Sequence, residues 1–336
     1  MKLVEFNGIP QKGSRLVYGT GVPATWNDDR EYAFETLDLA WEAGFRTFDS
    51  ANRYGHAEEN LGAWIEARGV RDQLVLHDKG CNPGENGSTD VLSGDSIRAF
   101  VEESLRRLRT DHLDFYLLHR DDESVPVGEV IEAFNALHEE GKVTRFGGSN
   151  WRMHRIQEAN EYAKAHGLIG FTAVSPCYNI GDYVDDPFGG SIALTGSPEG
   201  EAYRKWLAEQ TEYDLVISTY SALGRAFFSG KYRTDGTTPP IEECMLPQPI
   251  REYGREDNYA RLARMEQFGA ERGLSVAQIA IAWLINQPLY VYPIVSPTGK
   301  HIQEIVEAAD VVLTQEEVNW LKNGGTVNKS VVCNTH

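Results

Sequence analysis

The chain reads as an α/β protein, a (β/α)8 barrel of the TIM type, in one domain over residues 1–336 with long loops at its C-terminal mouth. Three observations predict it: eight short runs rich in β-branched and aromatic residues, amphipathic helical patterns between them, and glycines placed where those helices must stop. Eight strand-helix units in succession imply a parallel sheet closed on itself.

The units follow in order. RLVYG (15–19) precedes the helix pattern DREYAFETLDLAWEAG, and FRTFD (45–49) precedes AEENLGAWIEAR. LVLHDK (74–79) is followed by SGDSIRAFVEESLRRLR, where Ile97, Val101, Leu105 and Leu108 recur at three or four with charges between them. LDFYLLH (113–119) leads to PVGEVIEAFNALHEEG, and VTRFGGS (143–149) to RMHRIQEANEYAKAHG. FTAVS (171–175) is matched to GEAYRKWLAEQ, and LVISTY (215–220) to DNYARLARMEQFGAERG with SVAQIAIAWLINQ. VYPIV (291–295) closes the series with HIQEIVEAA. Gly44, Gly141, Gly167 and Gly273 stand where left-handed C-caps are expected.

Two connections lack clear periodicity, 178–198 and 221–256. Both follow strand ends, so both are expected to overhang the C-terminal mouth, as binding loops do. A doubly wound sheet is the rival architecture, because YGTGVPA (18–24) superficially fits G-x-G-x-x-[GA]. Pro23 and TWNDD intervene before the helix, whereas that fingerprint needs its glycines at the helix start.

Composition narrows the function. Fifty acidic against 32 basic residues give a formal charge of −18, a surface that repels a phosphate backbone, and no polybasic cluster suits an anionic membrane. The N-terminal MKLVEFNGIPQKG is too polar for a signal peptide, so a cytoplasmic location is expected. Cys81, Cys177, Cys244 and Cys333 are widely spaced and form no C-x-x-C, which fits a reducing compartment.

The stretch FDSANRYGHAEENLG carries the chemistry. On the expected barrel Asp49 ends the second strand, Lys79 the third and His119 the fourth, with Tyr54 on the loop after Asp49. All four therefore converge on one mouth. A lysine kept charged by an aspartate favours a neighbouring phenolate, which is expected to lower the Tyr54 pKa toward neutrality. A phenol so tuned can protonate a carbonyl oxygen that His119 orients. None of these residues donates hydride, so reduction requires a nicotinamide.

Other chemistries fit less well. HAE (56–58) and PC (176–177) echo a zinc deaminase, but the second cysteine is replaced by Ile180. Asp121, Asp122 and Glu123 could serve a glycosidase, yet adjacent acids cannot easily flank one bond from opposite sides.

Six segments together resemble the aldo-keto reductase family: FDSANRYGHAEENLG, the lysine of HDKG, LDFYLLHRDD, EEGKVTRFGGSNW, STYSALGRAFFSGKY and PIVSPTGKHIQEIVEAA. They span nearly the whole chain in the family's order. The resemblance implies a catalytic tetrad of Asp49, Tyr54, Lys79 and His119, with Tyr54 the general acid, in an enzyme reducing a small-molecule aldehyde or ketone. It implies NADPH, with NADH as the alternative coenzyme. Ser149 and Asn150 would hold the carboxamide, Tyr220 would stack on the nicotinamide, and Ser221, Leu223 and Arg225 would line the pyrophosphate path. Gly19, Thr20, Asp49, Ser175, Ser296, Lys300 and Glu304 complete the expected coenzyme contacts.

The chain also departs from the pattern. Ser175 stands where a glutamine is usual, His301 takes the place of an arginine and Ile305 that of an asparagine, which leaves Lys300 as the obvious cation for a 2′-phosphate. Trp26, Tyr54, His119 and Trp151 are the expected substrate surface. The Tyr, Phe, Asp and Gly of the 178–198 loop suit a sugar-like carbonyl. A binding protein of the same fold, occupied by coenzyme but with little turnover, is the alternative.

Overall fold

A computed structural model of the chain describes residues 1–84, 90–186, 188–234, 236, 240–245 and 247–325. Cys333 and parts of both long connections lie outside these residues.

Two short strands, β1 (Leu3–Val4) and β2 (Gly13–Ser14), pair antiparallel ahead of the barrel. The barrel follows: β3 (Val17–Gly19), β4 (Thr47–Asp49), β5 (Val75–Gly80), β6 (Leu113–Leu118), β7 (Val143–Ser149), β8 (Ala173–Ser175), β9 (Val216–Thr219) and β10 (Tyr292–Val295). Each pairs in parallel with the next, and β10 pairs with both β9 and β3, so the sheet is closed. All eight predicted strands are present, with ends that shift by no more than two residues.

The helices are α1 (Pro23–Trp26), α2 (Arg30–Glu42), α3 (Ala57–Arg68), α4 (Gly94–Leu108), α5 (Val127–Glu139), α6 (Met153–His166) and α7 (Pro198–Glu209). Then come α8 (Ile241–Cys244), α9 (Pro247–Tyr253), α10 (Glu256–Arg272), α11 (Val276–Ile285), α12 (His301–Glu307) and α13 (Gln315–Asn323). Their starts are chemically marked: Asp29 accepts from Tyr32 N, Ser93 from Ser96 N, and Ser275 and Thr314 form reciprocal capping boxes with Gln278 and Glu317. Gly44, Gly141, Gly167 and Gly273 all have positive φ, as the stop signals require. No described helix is long and apolar enough to cross a membrane.

Side-chain alternation divides the core in two. Val17, Val75, Phe115, Leu117, Ala173 and Val216 point into the barrel, while Tyr18, Phe48, Leu76, Tyr116, Leu118, Phe146 and Val174 pack outward under the helices. The N-terminal hairpin is the plug of the inner layer. Phe6 meets Phe115 edge-on at 5.5 Å and His77 at 6.2 Å, and burying that ring contributes roughly 2–3 kcal/mol. With this end filled, the barrel's open space lies at the C-terminal ends of its strands.

Candidate active site

Asp49 closes β4 in register with Gly19 of β3 and His77 of β5. Lys79, two residues beyond His77, therefore faces the same interior. Its Nζ lies 2.5 and 2.6 Å from the two Asp49 oxygens and 2.9 Å from the Ser50 carbonyl. Both side chains are almost completely buried. The Thr20 hydroxyl, 3.1 Å from Asp49 O and 2.9 Å from Ser50 Oγ, fixes the chain that carries the acid.

Tyr54 sits on the turn between β4 and α3. Lys79 Nζ is 5.4 Å from its ring centroid, and the His119 imidazole stands edge-on at 6.0 Å with the planes at 78°. Gly21 makes room for the phenol: a Cβ there would lie 3.0 Å from Tyr54 Cε2. The turn is braced from behind. Arg107 donates to the Asn52 carbonyl (3.2 Å) and to buried Glu58 (2.9 Å), and Asn52 N donates to Lys79 O (2.7 Å). Thus the four residues that the sequence assigns to one mouth do converge.

Electrostatics alter one expectation. Burial pushes the Tyr54 phenol above its ordinary value of 10.0, and the nearby Lys79 charge opposes this without overcoming it. The expected fall toward neutrality is therefore corrected: the phenol stays protonated, which is the form a proton donor needs. Burial works against a charged Lys79, but Asp49 and Tyr54 outweigh it and hold the ammonium above its ordinary range. Burial raises the Asp49 carboxyl while Lys79 pulls it down. Both its oxygens accept from the ammonium, as those of a carboxylate do. His119 is driven well below the usual imidazole range, first by burial and then by Lys79, so it is neutral and can donate one N–H.

The expected coenzyme residues line the strands opposite. Ser149 and Ser175 are in register on β7 and β8; Ser149 Oγ donates to Ser175 O (3.0 Å), and Asn150 Nδ2 donates to Ser149 Oγ (3.1 Å). Asn150 Oδ1 accepts from the Tyr220 hydroxyl (2.6 Å) and from Ile192 N (3.1 Å). Ser175 Oγ is buried with no hydrogen-bond partner, and so is His119 Nδ1. Two orphaned polar atoms at one barrel mouth fit a polar ligand that would satisfy them. Gly19 lacks a Cβ where one would meet Ser296 Oγ at 2.9 Å.

Beyond β9 the backbone is unusual: Ser221, Gly224, Arg225 and Ala226 all have positive φ. Such strain outside glycine gathers at functional turns. Leu223 is half-buried there against the outer core. Arg225 stands 4.7 Å over the Phe188 ring and 2.8 Å from the buried Glu252 carboxylate. The sequence reading missed Glu252 and Phe188, since nothing local marks residues that meet only through two long loops. Lys300 is exposed at the start of α12, and Glu304 is paired at 2.8 Å with His301.

One further expectation changes. Trp151 is 1% exposed, packed edge-on against Phe171 at 5.0 Å with the Arg155 guanidinium over its ring, so it is a packing residue and not substrate surface. Asp121 is bound to Arg155 at 3.0 Å, which removes it from any pair of glycosidase acids. Trp26, by contrast, is 38% exposed, and its carbonyl accepts from His56 N (2.9 Å) beside the Tyr54 turn.

A parallel barrel with a phenol, an ammonium-carboxylate pair and a neutral imidazole gathered at its C-terminal mouth has the architecture of the barrel enzymes, which carry their chemistry at that end. The aldo/keto reductase family model matches residues 15–323, and the chain belongs to that family of carbonyl-reducing oxidoreductases. It is 30% identical to norsolorinic acid reductase stcV of Emericella nidulans over 86% of this chain and 70% of that protein. It is 29% identical to aldo-keto reductase str7 of Strobilurus tenacellus, over 93% and 84% of the two chains. With the NADP(+) aryl-alcohol dehydrogenase of Phanerodontia chrysosporium the identity is 28%, over 90% and 78%.

Proposed function

We propose that the protein reduces an aromatic aldehyde or ketone to the alcohol with NADPH as coenzyme, and that Tyr54 donates the proton. The observation that carries this reading is the buried Lys79–Asp49 pair beside a protonated phenol with a neutral imidazole edge-on to it. A bound nicotinamide supplies hydride to the carbonyl carbon. The chain does the rest. The His119 N–H holds the carbonyl oxygen near the phenol, and Tyr54 passes its proton to that oxygen as negative charge grows there. The Lys79 ammonium stabilises the phenolate left behind, and Asp49 keeps that ammonium charged and in place.

Ser149, Asn150 and the orphaned Ser175 hydroxyl would hold the carboxamide, and Tyr220 would face the ring. Ser221, Leu223 and Arg225 would follow the pyrophosphate. Lys300 would meet the 2′-phosphate, which favours NADPH over NADH, and an aryl-alcohol dehydrogenase named for NADP(+) is among the relatives.

What the mouth loops leave available supports the aromatic reading. Several polar groups of the 178–198 loop are already committed: Asp182 to Arg261 and Lys322, the Tyr183 hydroxyl to Cys177 Sγ, and Asp186 to the Phe188 and Ser191 amides. Exposed Phe188 and Trp26 remain, a surface for a flat apolar ring.

The test is loss of nicotinamide absorbance with NADPH or NADH and an aromatic aldehyde, for wild type and Tyr54→Phe. Wild type should consume NADPH faster than NADH. The variant should lose about 10²–10⁴-fold in turnover while still binding coenzyme. A wild type that binds coenzyme but reduces no carbonyl would overturn the proposal in favour of a coenzyme-occupied binding protein.

A further inference from the structure

A cavity of about 580 Å³ opens on the flank of the barrel, between α7, α10, α11 and α13. None of the proposed catalytic or coenzyme residues lines it. Its size is within the usual range for small-molecule sites.

The lining has an uncommon charge. In a chain of net charge −18, this cavity gathers four basic side chains, Arg204, Lys205, Arg261 and Lys322, against two acidic ones, Asp182 and Glu201. Asp182 is already shared, accepting from both Lys322 and Arg261. One carboxylate between two cations leaves local positive charge unmatched, and Arg204 adds to it, while Lys205 stands 3.9 Å from Glu209 and Glu201 lines the same space. Burial, Arg261 and Arg204 push the Lys322 ammonium down to about 8 against the pull of Asp182, so a further anion would relieve this side chain. The α7 amino end, capped by Ser197 with Pro198 in its first turn, opens on the same space and adds the positive end of a twelve-residue helix.

The second, independent sign is Tyr178. Its side chain is fully buried, yet it lines the cavity and its hydroxyl makes no hydrogen bond. Burial pushes that phenol up to about 12; the Arg204 guanidinium is near enough to oppose this, but no bond of good geometry forms between them. A buried hydroxyl left without an acceptor is costly, and an acceptor entering the cavity would satisfy it.

We propose that this flank cavity is a ligand site separate from the barrel mouth, and that it takes a small molecule bearing a carboxylate or phosphate group. Arg204, Lys205 and Lys322 supply the charge and the Tyr178 hydroxyl donates to an anionic oxygen. The proposal does not depend on the reaction at the mouth.

Isothermal titration of the full chain, with the mouth saturated by NADP(+), with inorganic pyrophosphate and, separately, citrate tests it, at ionic strength matched with chloride. Arg204→Gln/Lys205→Gln removes two cations of α7, one half-buried and one exposed, Tyr178→Phe removes only the hydroxyl, and Arg225→Gln/Lys300→Gln alters the mouth. The expected result is saturable one-to-one binding of at least one probe, weakened about tenfold by the α7 pair. Tyr178→Phe should weaken it several-fold, and the mouth pair should leave it unchanged. Preference between the probes tells phosphate from carboxylate. Absence of saturable binding by both probes, affinity untouched by the α7 pair, or loss confined to the mouth pair would each overturn the proposal.

Discussion

Lys79 Nζ is held 2.5 and 2.6 Å from the two carboxylate oxygens of Asp49, in a place where neither side chain meets solvent. Breaking one half of such a pair strands the other charge in the barrel. Lys79→Met is therefore expected to destabilise the fold by about 3–5 kcal/mol and to abolish turnover. The double variant Lys79→Met/Asp49→Leu should recover much of that stability without recovering activity. Urea midpoints and NADPH consumption measured on both variants check this; a double variant as unstable as the single one would refute the account.

The ionisation states of Tyr54 and His119 predict the pH profile. The phenol titrates above 10.0 and the imidazole well below 6.5, so neither changes charge across the neutral range. Saturated carbonyl reduction should be nearly flat from about pH 7 to about pH 9. Alcohol oxidation, which needs the phenolate as base, should rise with pH throughout. A drop in reduction across that window would mean that the Lys79 field, and not burial, governs the phenol.

Gly21 has no side chain because the Tyr54 ring occupies that space. In Gly21→Ala the new Cβ would start 3.0 Å from Cε2 and 3.3 Å from Cδ2 and Cζ, so the ring must give way by a few tenths of an ångström. The phenol's distance to the carbonyl oxygen changes with it. Turnover should fall about tenfold with a stability change of only about 1 kcal/mol. Steady-state kinetics beside a urea titration separates the two; unchanged turnover would show that Tyr54 is not held by this contact.

The eight strands were legible because each buried run is bounded by turn residues and followed by a helical period. Two-residue strands such as Leu3–Val4 and Gly13–Ser14 carry no such period, so the plug that seats Phe6 was invisible. Helix α13 was legible in principle, since Thr314 and Glu317 form a capping box three residues apart before an apolar face. The short α8 and α9 lie in the proline-rich part of the 221–256 connection, where no run is long enough to reveal them. Strand ends brought Asp49, Lys79 and His119 to one mouth with no tertiary knowledge. What strand ends do not carry is depth. The direction of the Tyr54 shift depends on burial, and Trp151 turned inward because Gly148 leaves the indole room beside β7, where any Cβ would collide with it.

His77 supplies a test of the barrel's inner layer, one register step from Lys79. It packs against Phe115 at 4.2 Å with the ring planes tilted by 50°, approaches the Ser218 hydroxyl at 3.5 Å, and has no partner at Nε2. Burial, reinforced by Lys79 and Arg145, depresses its pKa from 6.5 to about 3. The unfolded chain therefore binds a proton here between those values and the folded chain does not. The stabilisation is present above pH 6.5 and is lost as pH falls toward 3. Between about pH 7 and about pH 5, this one residue should cost the protein roughly 2 kcal/mol. His119, also depressed, adds to the loss in wild type, so the informative quantity is the difference from His77→Gln, which cannot titrate. Urea unfolding at both pH values should find the variant's acid loss smaller by roughly 2 kcal/mol. Equal losses would mean that the His77 ring gains a proton without unfolding the barrel, and that its neutral contact with Phe115 is not what seals the inner layer.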